Sequence, residues 1–175
     1  HGGEFFTDSC LVDDEVKAKI ESLYSIAPLH NPANLEGILS MEKVLPGIKQ
    51  VAVFDTSFHH TIPAINYLYA IPYEYYEKYR VRKYGFHGTS HKFVARLGAE
   101  MFGLDFENSK IITCHIGNGA SVTAIKNGKS FDTSMGFSPL DGLVMGTRAG
   151  SMDVSAATYV AAKEGMTYAE LDSML

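Results

Sequence analysis

Tryptophan is absent and cysteine nearly so: Cys10 and Cys114 are the only two in 175 residues. They lie far apart and neither belongs to a Cys-x-x-Cys pair, which excludes the usual thiolate zinc and disulfide-exchange motifs and favours a reduced cytoplasmic chain. No apolar run approaches the ~20 residues of a spanning helix, and the N-terminus lacks the basic, apolar and small-residue series of a signal peptide. Basic charge is scarce as well. The 15 Lys and Arg are outnumbered by 20 Asp and Glu, a formal net charge of −5, which argues against nucleic acid or an anionic membrane as partner, since both need a basic face. Repeats, low-complexity tracts and Gly/Ser linkers are missing too. With 46% hydrophobic residues the chain still has enough apolar material for a real core, as one domain or as pieces of two, and a small polar ligand suits it best. It opens "HGGEFF", with His1 where a Met would start a protein, and reads as a fragment whose own start lies upstream.

What is present begins with helix periodicity. In "DDEVKAKIESLYSIA", Val16, Ile20, Leu23 and Tyr24 follow an acidic first turn, so Asp13, Asp14 and Glu15 read as a helix start and not as a catalytic pair. "HNPANLEGILSMEKVLPG" predicts a loop and then a second helix, ended by Pro46-Gly47. "KQVAVFDTSFHHTIP" gives an apolar strand over Val51 to Phe54 that runs into Asp55, which is either a carboxylate at a strand end, where α/β folds place ligands, or a capping group. Seven of the chain's 10 tyrosines fall between Tyr67 and Tyr84. Amphipathic helices packing together explain them better than a nucleic-acid stacking platform does.

The stretch "YGFHGTSH" carries two histidines, His87 and His91, four residues apart, a spacing that on one helix would suit a metal ion. Gly-Thr-Ser between them reads instead as a loop entering a helix, with Thr89 or Ser90 as N-cap and Phe93, Val94, Leu97 and Met101 as its apolar stripe. On that reading His87 precedes the helix and shares no face with His91, which is left as a surface or packing residue.

Residues 110–133 carry the densest pattern. Ile111 to Ile116 predict a strand buried on both faces, Gly117-Asn118-Gly119 a turn, "SVTAI" a second strand, Asn127-Gly128 a hairpin and "KSFDT" a third strand. The two-glycine turn is either a tight hairpin or a cradle whose backbone amides approach a phosphate, with His115 and Asn118 able to add donors. Further on, Arg148 in "GTRAG" is either a surface charge or a guanidinium held over a phosphate or carboxylate.

Taken together and in order, "HGGE", "APLHNP", "VFDTSFHHTIP", "YGFHGTSH", "HIGNGAS" and "DTSMGFSPLDGLVMGTRAG" closely resemble the acetate kinase family. The resemblance implies an α/β fold of the actin-like, sugar-kinase and heat-shock ATPase superfamily, built from ribonuclease-H-like domains with mixed sheets and flanking helices. Residues 1–57 would end the first domain and 58–175 begin the second. It implies reversible transfer of the γ-phosphoryl group of ATP to acetate, giving acetyl phosphate and ADP, with Mg2+; a propionate kinase shares the motifs. Asp55, His87 and Arg148 match the family's catalytic positions, with His87 and Arg148 stabilising the transition state. His115, Ile116, Gly117, Asn118 and Gly119 match the phosphate-holding loop. Leu29, Phe86 and Pro139 match the pocket for the acetate methyl group, with His30 beside it. The resemblance also implies a cytoplasmic homodimer whose magnesium ligands lie outside these residues, so that the 175-residue piece would be inactive alone. The pattern departs at Ser151-Met152-Asp153-Val154, where the family has Asp, an apolar residue, Asp and Pro. From another class, a non-catalytic metal-binding domain using its histidines stays in contention.

Overall fold

Asp13 lies in extended backbone and its carboxylate accepts from the Val16 amide, capping helix α1 (Asp14–Ser22) as its acidic start predicts. In this computed structural model, which describes residues 1–175, α1 packs on α2 (Asn31–Val44), whose first turn holds Pro32. Two-residue strands β1 (Cys10–Leu11) and β2 (Val51–Ala52) pair antiparallel beside them. The strand is thus shorter than the Val51–Phe54 run suggests, and Val51 and Val53 are exposed. Phe54 turns inward and stacks on Phe6 with ring centroids 4.1 Å apart. With Val16, Ile20, Leu23 and Leu35 these rings form the larger of two hydrophobic clusters.

After a 3-10 turn over Ser57–Thr61 come two short helices, α3 (Ala64–Tyr67) and α4 (Glu74–Tyr79), neither with a buried residue. The tyrosine-rich stretch is therefore not a pair of packed amphipathic helices. It is organised around the buried Arg82, whose guanidinium lies 3.6 Å from the Tyr67 ring centroid and bonds Glu4 at 3.0 Å.

Helix α5 (Gly88–Met101) then packs on a three-stranded antiparallel sheet of β3 (Lys110–Ile116), β4 (Ala120–Lys126) and β5 (Lys129–Thr133), in that order. Asn127 and Gly128 both have positive φ, 52° and 73°, as a two-residue hairpin turn requires. The second cluster, Phe58, Ala95 and Ile125, lies under α5.

Three expectations fail here. The stripe Phe93, Val94, Leu97 and Met101 is exposed, and α5 turns Gly88, His91, Ala95 and Ala99 inward. Small residues let the helix approach the sheet closely, and His91 meets polar partners on it. Neither Thr89 nor Ser90 caps α5, because both already lie in its first turn behind His87. Strand β3 is covered on its α5 side only, so Ile112 and Ile116 on the other face are 72% and 70% exposed. A loop over residues 134–153 leads to α6 (Val154–Glu164) and α7 (Tyr168–Met174).

Candidate active site

Asp55 follows the buried Phe54 directly and fixes the loop before α5 with two groups. Its Oδ2 accepts from the His87 amide at 2.7 Å and its backbone oxygen from the Gly88 amide at 2.8 Å. His87 has φ 57°, the left-handed region that non-glycine residues seldom adopt. Gly88 must be glycine, because a Cβ there would collide with the Asp55 backbone oxygen. The preceding residue is held from the other side: His59 Nε2–H donates to the Phe86 carbonyl at 2.8 Å, and its Nδ1 accepts from the Ser130 hydroxyl at 2.8 Å. Burial pushes His59 down to about 4, so it is neutral.

The His87 ring is stacked on His115, centroids 4.0 Å apart, and its Nδ1 is 2.8 Å from Ser121 Oγ. Its Nε2 faces Gly119. A Cβ on Gly119 would lie 3.5 Å from that nitrogen and 3.3 Å from Arg148 Nη1, so the two side chains converge on one point of the turn. Desolvation lowers the His87 pKa, with His115 and Arg148 pushing the same way and Asp55 opposing. Arg148 is half-buried and has no carboxylate partner; its guanidinium donates only to Met145 Sδ, at 3.7 Å. An unpaired guanidinium at a cleft wall calls for an anion.

That cleft has a volume of about 980 Å³, and Leu29, His30, Asp55, Phe86, His87, Gly119, Pro139 and Arg148 all line it. Leu29 and His30 remain exposed. Of the five residues expected to hold phosphate, only Gly119 borders the cleft. Ile116, Gly117 and Asn118 are exposed beside it, and the Gly117 amide is used within the turn, donating to the Gly119 carbonyl at 3.0 Å. His115 acts from behind, stacked on His87 and bonded through Nδ1 to Ser90 Oγ at 2.9 Å.

His87 precedes α5 and shares no helix face with His91, as expected, but Ser121 joins the two: its Oγ is 2.7 Å from His91 Nε2 as well. His91 is fully buried with both nitrogens engaged by hydroxyls, and no three His, Cys, Asp or Glu side chains converge in a way that would hold a metal ion. The sequence reading missed His59, His91, Ser90, Thr113, Ser121 and Ser130. One signal was available. Thr113 and His115 on β3 and Ser121 and Thr123 on β4 alternate onto one face, an unusual run of polar residues for a side that a helix covers.

Ser151 tightens the loop that carries Arg148. Its hydroxyl donates to Asp141 Oδ1 at 2.5 Å and accepts from the Gly142 amide at 2.9 Å. An aspartate in its place would oppose Asp141. Val154 occupies the first position of α6, where proline is also well suited, and is exposed.

A sequence model described as the Acetokinase family matches residues 1–175, the whole chain. The chain belongs to that family. An acetate kinase of Caldanaerobacter subterraneus subsp. tengcongensis is 62% identical over 167 residues, which are 95% of this chain and 42% of that protein. One from Thermotoga maritima is 60% identical over 175 residues, covering 100% and 43%. Among solved structures, Porphyromonas gingivalis acetate kinase superposes with a TM-score of 0.96 at 51% identity, over 99% of this chain and 44% of that one. A propionate kinase from Francisella tularensis gives 0.95 at 47% identity, over 100% and 45%. This acetokinase-family chain thus spans less than half the length of the relatives it matches. No helix in it is long and apolar enough to cross a membrane.

Proposed function

We propose that this chain carries part of the active site of an ATP-dependent carboxylate kinase, which transfers the γ-phosphoryl group of ATP reversibly to acetate to give acetyl phosphate. The observation that carries the reading is the convergence of His87 Nε2 and the unpaired Arg148 guanidinium on Gly119, with the His87 amide gripped by Asp55. Phosphoryl transfer needs positioning and charge neutralisation more than covalent chemistry, because negative charge spreads over the equatorial oxygens of the moving group. Arg148 supplies a fixed cation and His87 a second donor. Asp55 orients the backbone from which that donor projects. Phe86 and Pro139, with Leu29 at the same cleft, offer apolar contact to a short acyl group.

The domain boundary is assigned close to Asp55, between the two hydrophobic clusters. The remaining groups, including those for adenine and the metal, are assigned to the rest of a longer cytoplasmic homodimer, and residues 1–175 alone are assigned no activity. A propionate-preferring enzyme is the second reading, favoured by the 0.95 TM-score to a propionate kinase. The pocket discriminates by one methylene, worth about 1–3 kcal/mol.

Both readings are tested in the full-length protein by trapping the acyl phosphate with hydroxylamine. His87→Ala and Arg148→Ala each lower kcat by roughly 10³-fold with a much smaller change in KM for ATP. Near-normal kcat in both variants refutes the assignment, and a higher kcat/KM for propionate than for acetate moves it to the second reading.

A further inference from the structure

Thr113, His91 and Ser121 stand in a buried file that ends on His87. Thr113 Oγ1 is 2.7 Å from His91 Nδ1, His91 Nε2 is 2.7 Å from Ser121 Oγ, and Ser121 Oγ is 2.8 Å from His87 Nδ1. The three are 5%, 1% and 0% exposed in that order of the file.

Each of the three links needs one hydrogen, so a count of hydrogens fixes the direction. Burial, with His59, His87 and His115 adding to it, pushes His91 down to about 4, so this ring is neutral and brings one N–H; each hydroxyl brings one O–H. In the outward order, Thr113 donates to His91 Nδ1, His91 Nε2–H donates to Ser121, and Ser121 donates to His87 Nδ1. Every hydrogen is used once. In the inward order, His87 Nδ1–H donates to Ser121, Ser121 to His91 Nε2, and His91 Nδ1–H to Thr113. The Thr113 hydroxyl hydrogen is then stranded, because Oγ1 has no other hydrogen-bond partner. A buried donor left unmet is penalised, and the outward order avoids it.

From this geometry we infer that Thr113, His91 and Ser121 are positioning residues that hold His87 as the tautomer with its hydrogen on Nε2, the nitrogen that faces Gly119 and Arg148. His87 therefore meets its ligand as a neutral hydrogen-bond donor and cannot take up a proton at that nitrogen. The tautomer selects for an acceptor, such as a phosphoryl oxygen, and against any group that would donate. The inference rests on the proposed contact of His87 with the transferring group. It adds which atom makes that contact and what sets its hydrogen.

The test is nitrogen NMR of the full-length protein labelled with ¹⁵N-histidine, with the His87 ring assigned by its loss in His87→Ala. The wild-type spectrum is expected to place the hydrogen on Nε2 and leave Nδ1 bare. Ser121→Ala removes the donor to Nδ1, so His87 becomes a mixture of tautomers, and kcat falls about 10-fold with little change in KM for ATP, by analogy with lost partners of metal-bound histidines. His91→Gln, whose amide N–H can still reach Ser121, retains more kcat than His91→Leu. A wild-type hydrogen on Nδ1 overturns the inference, as does a Ser121→Ala protein with unchanged tautomer and kcat. Should a variant not fold, the wild-type spectrum alone decides. Full activity in His87→Ala sinks the proposed catalytic contact, while the spectrum still reports which nitrogen carries the hydrogen.

Discussion

Removing the Asp55 carboxylate should release the loop that aims His87. His87 sits in the left-handed region, which costs an L-residue roughly 1–2 kcal/mol, and two hydrogen bonds to Asp55 hold it there. The bond to the carboxylate is charge-assisted and worth about 1.5–3 kcal/mol, the one to the backbone oxygen about 0.5–1.5 kcal/mol. Asp55 is exposed, so the lower end of each range applies, about 1.5 and 0.5 kcal/mol. Together they offset the strain; the backbone bond alone does not. Asp55→Ala therefore frees residues 86–88 without unfolding the protein, whereas Asp55→Asn keeps a neutral acceptor and loses about half of the first term. Amide hydrogen exchange in the full-length protein is the assay. In Asp55→Ala the His87 and Gly88 amides should exchange about 10-fold faster or more, as ~1.5 kcal/mol implies, with Asp55→Asn in between and the amides of α1 unchanged. Equal protection in all three proteins would refute the clamp.

Two other outcomes follow from the same geometry. Gly119→Ala puts a methyl group against Arg148 and His87; kcat/KM should fall by about 10-fold, or ~1.4 kcal/mol, with the urea midpoint little changed, and unaltered kinetics would remove Gly119 from the border of the reacting group. Acid should destabilise the protein through His59 and His91. Their folded pKa values, about 4, lie below the unfolded value near 6.5, so the unfolded state binds more protons between those limits and stability falls as pH drops from 6.5 toward 4. Each contributes at most about 1.4 kcal/mol per pH unit; urea midpoints at pH 7, 6 and 5 measure the slope, and His59→Gln should reduce it. A slope unchanged by that substitution would exclude His59 as a source.

Local chemistry was legible wherever a residue's role is set by its immediate neighbours. Asp13 as a cap, Asn127-Gly128 as a two-residue turn and the order of strands β3 to β5 depend on a few adjacent residues and agree with the structure. Asp55 was legible as a strand-end or capping carboxylate and His87 as a residue before a helix, and the structure joins them through a backbone amide that no spacing rule predicts. The inward face of α5 was misread because large apolar residues dominate a periodicity count, whereas close helix–sheet approach selects Ala95, Ala99 and Gly88. His91 was left as a surface or packing residue. Its link to His87 was not legible, because the hydroxyls that satisfy its ring, Thr113 and Ser121, lie 22 and 30 residues away.

The pairing of His115 with Ser121 across the Gly117–Gly119 turn also ties the site to strand register. Strand side chains alternate between faces, so a slip of the β3–β4 pairing by one residue would carry Ser121 to the open side of the sheet and bring Ala120 or Val122 under α5. The file behind His87 would then be broken at Ser121, although every residue in it was still present. The site thus depends on how two strands are aligned as well as on which residues they carry, a constraint that a residue-by-residue inventory of the site would not reveal.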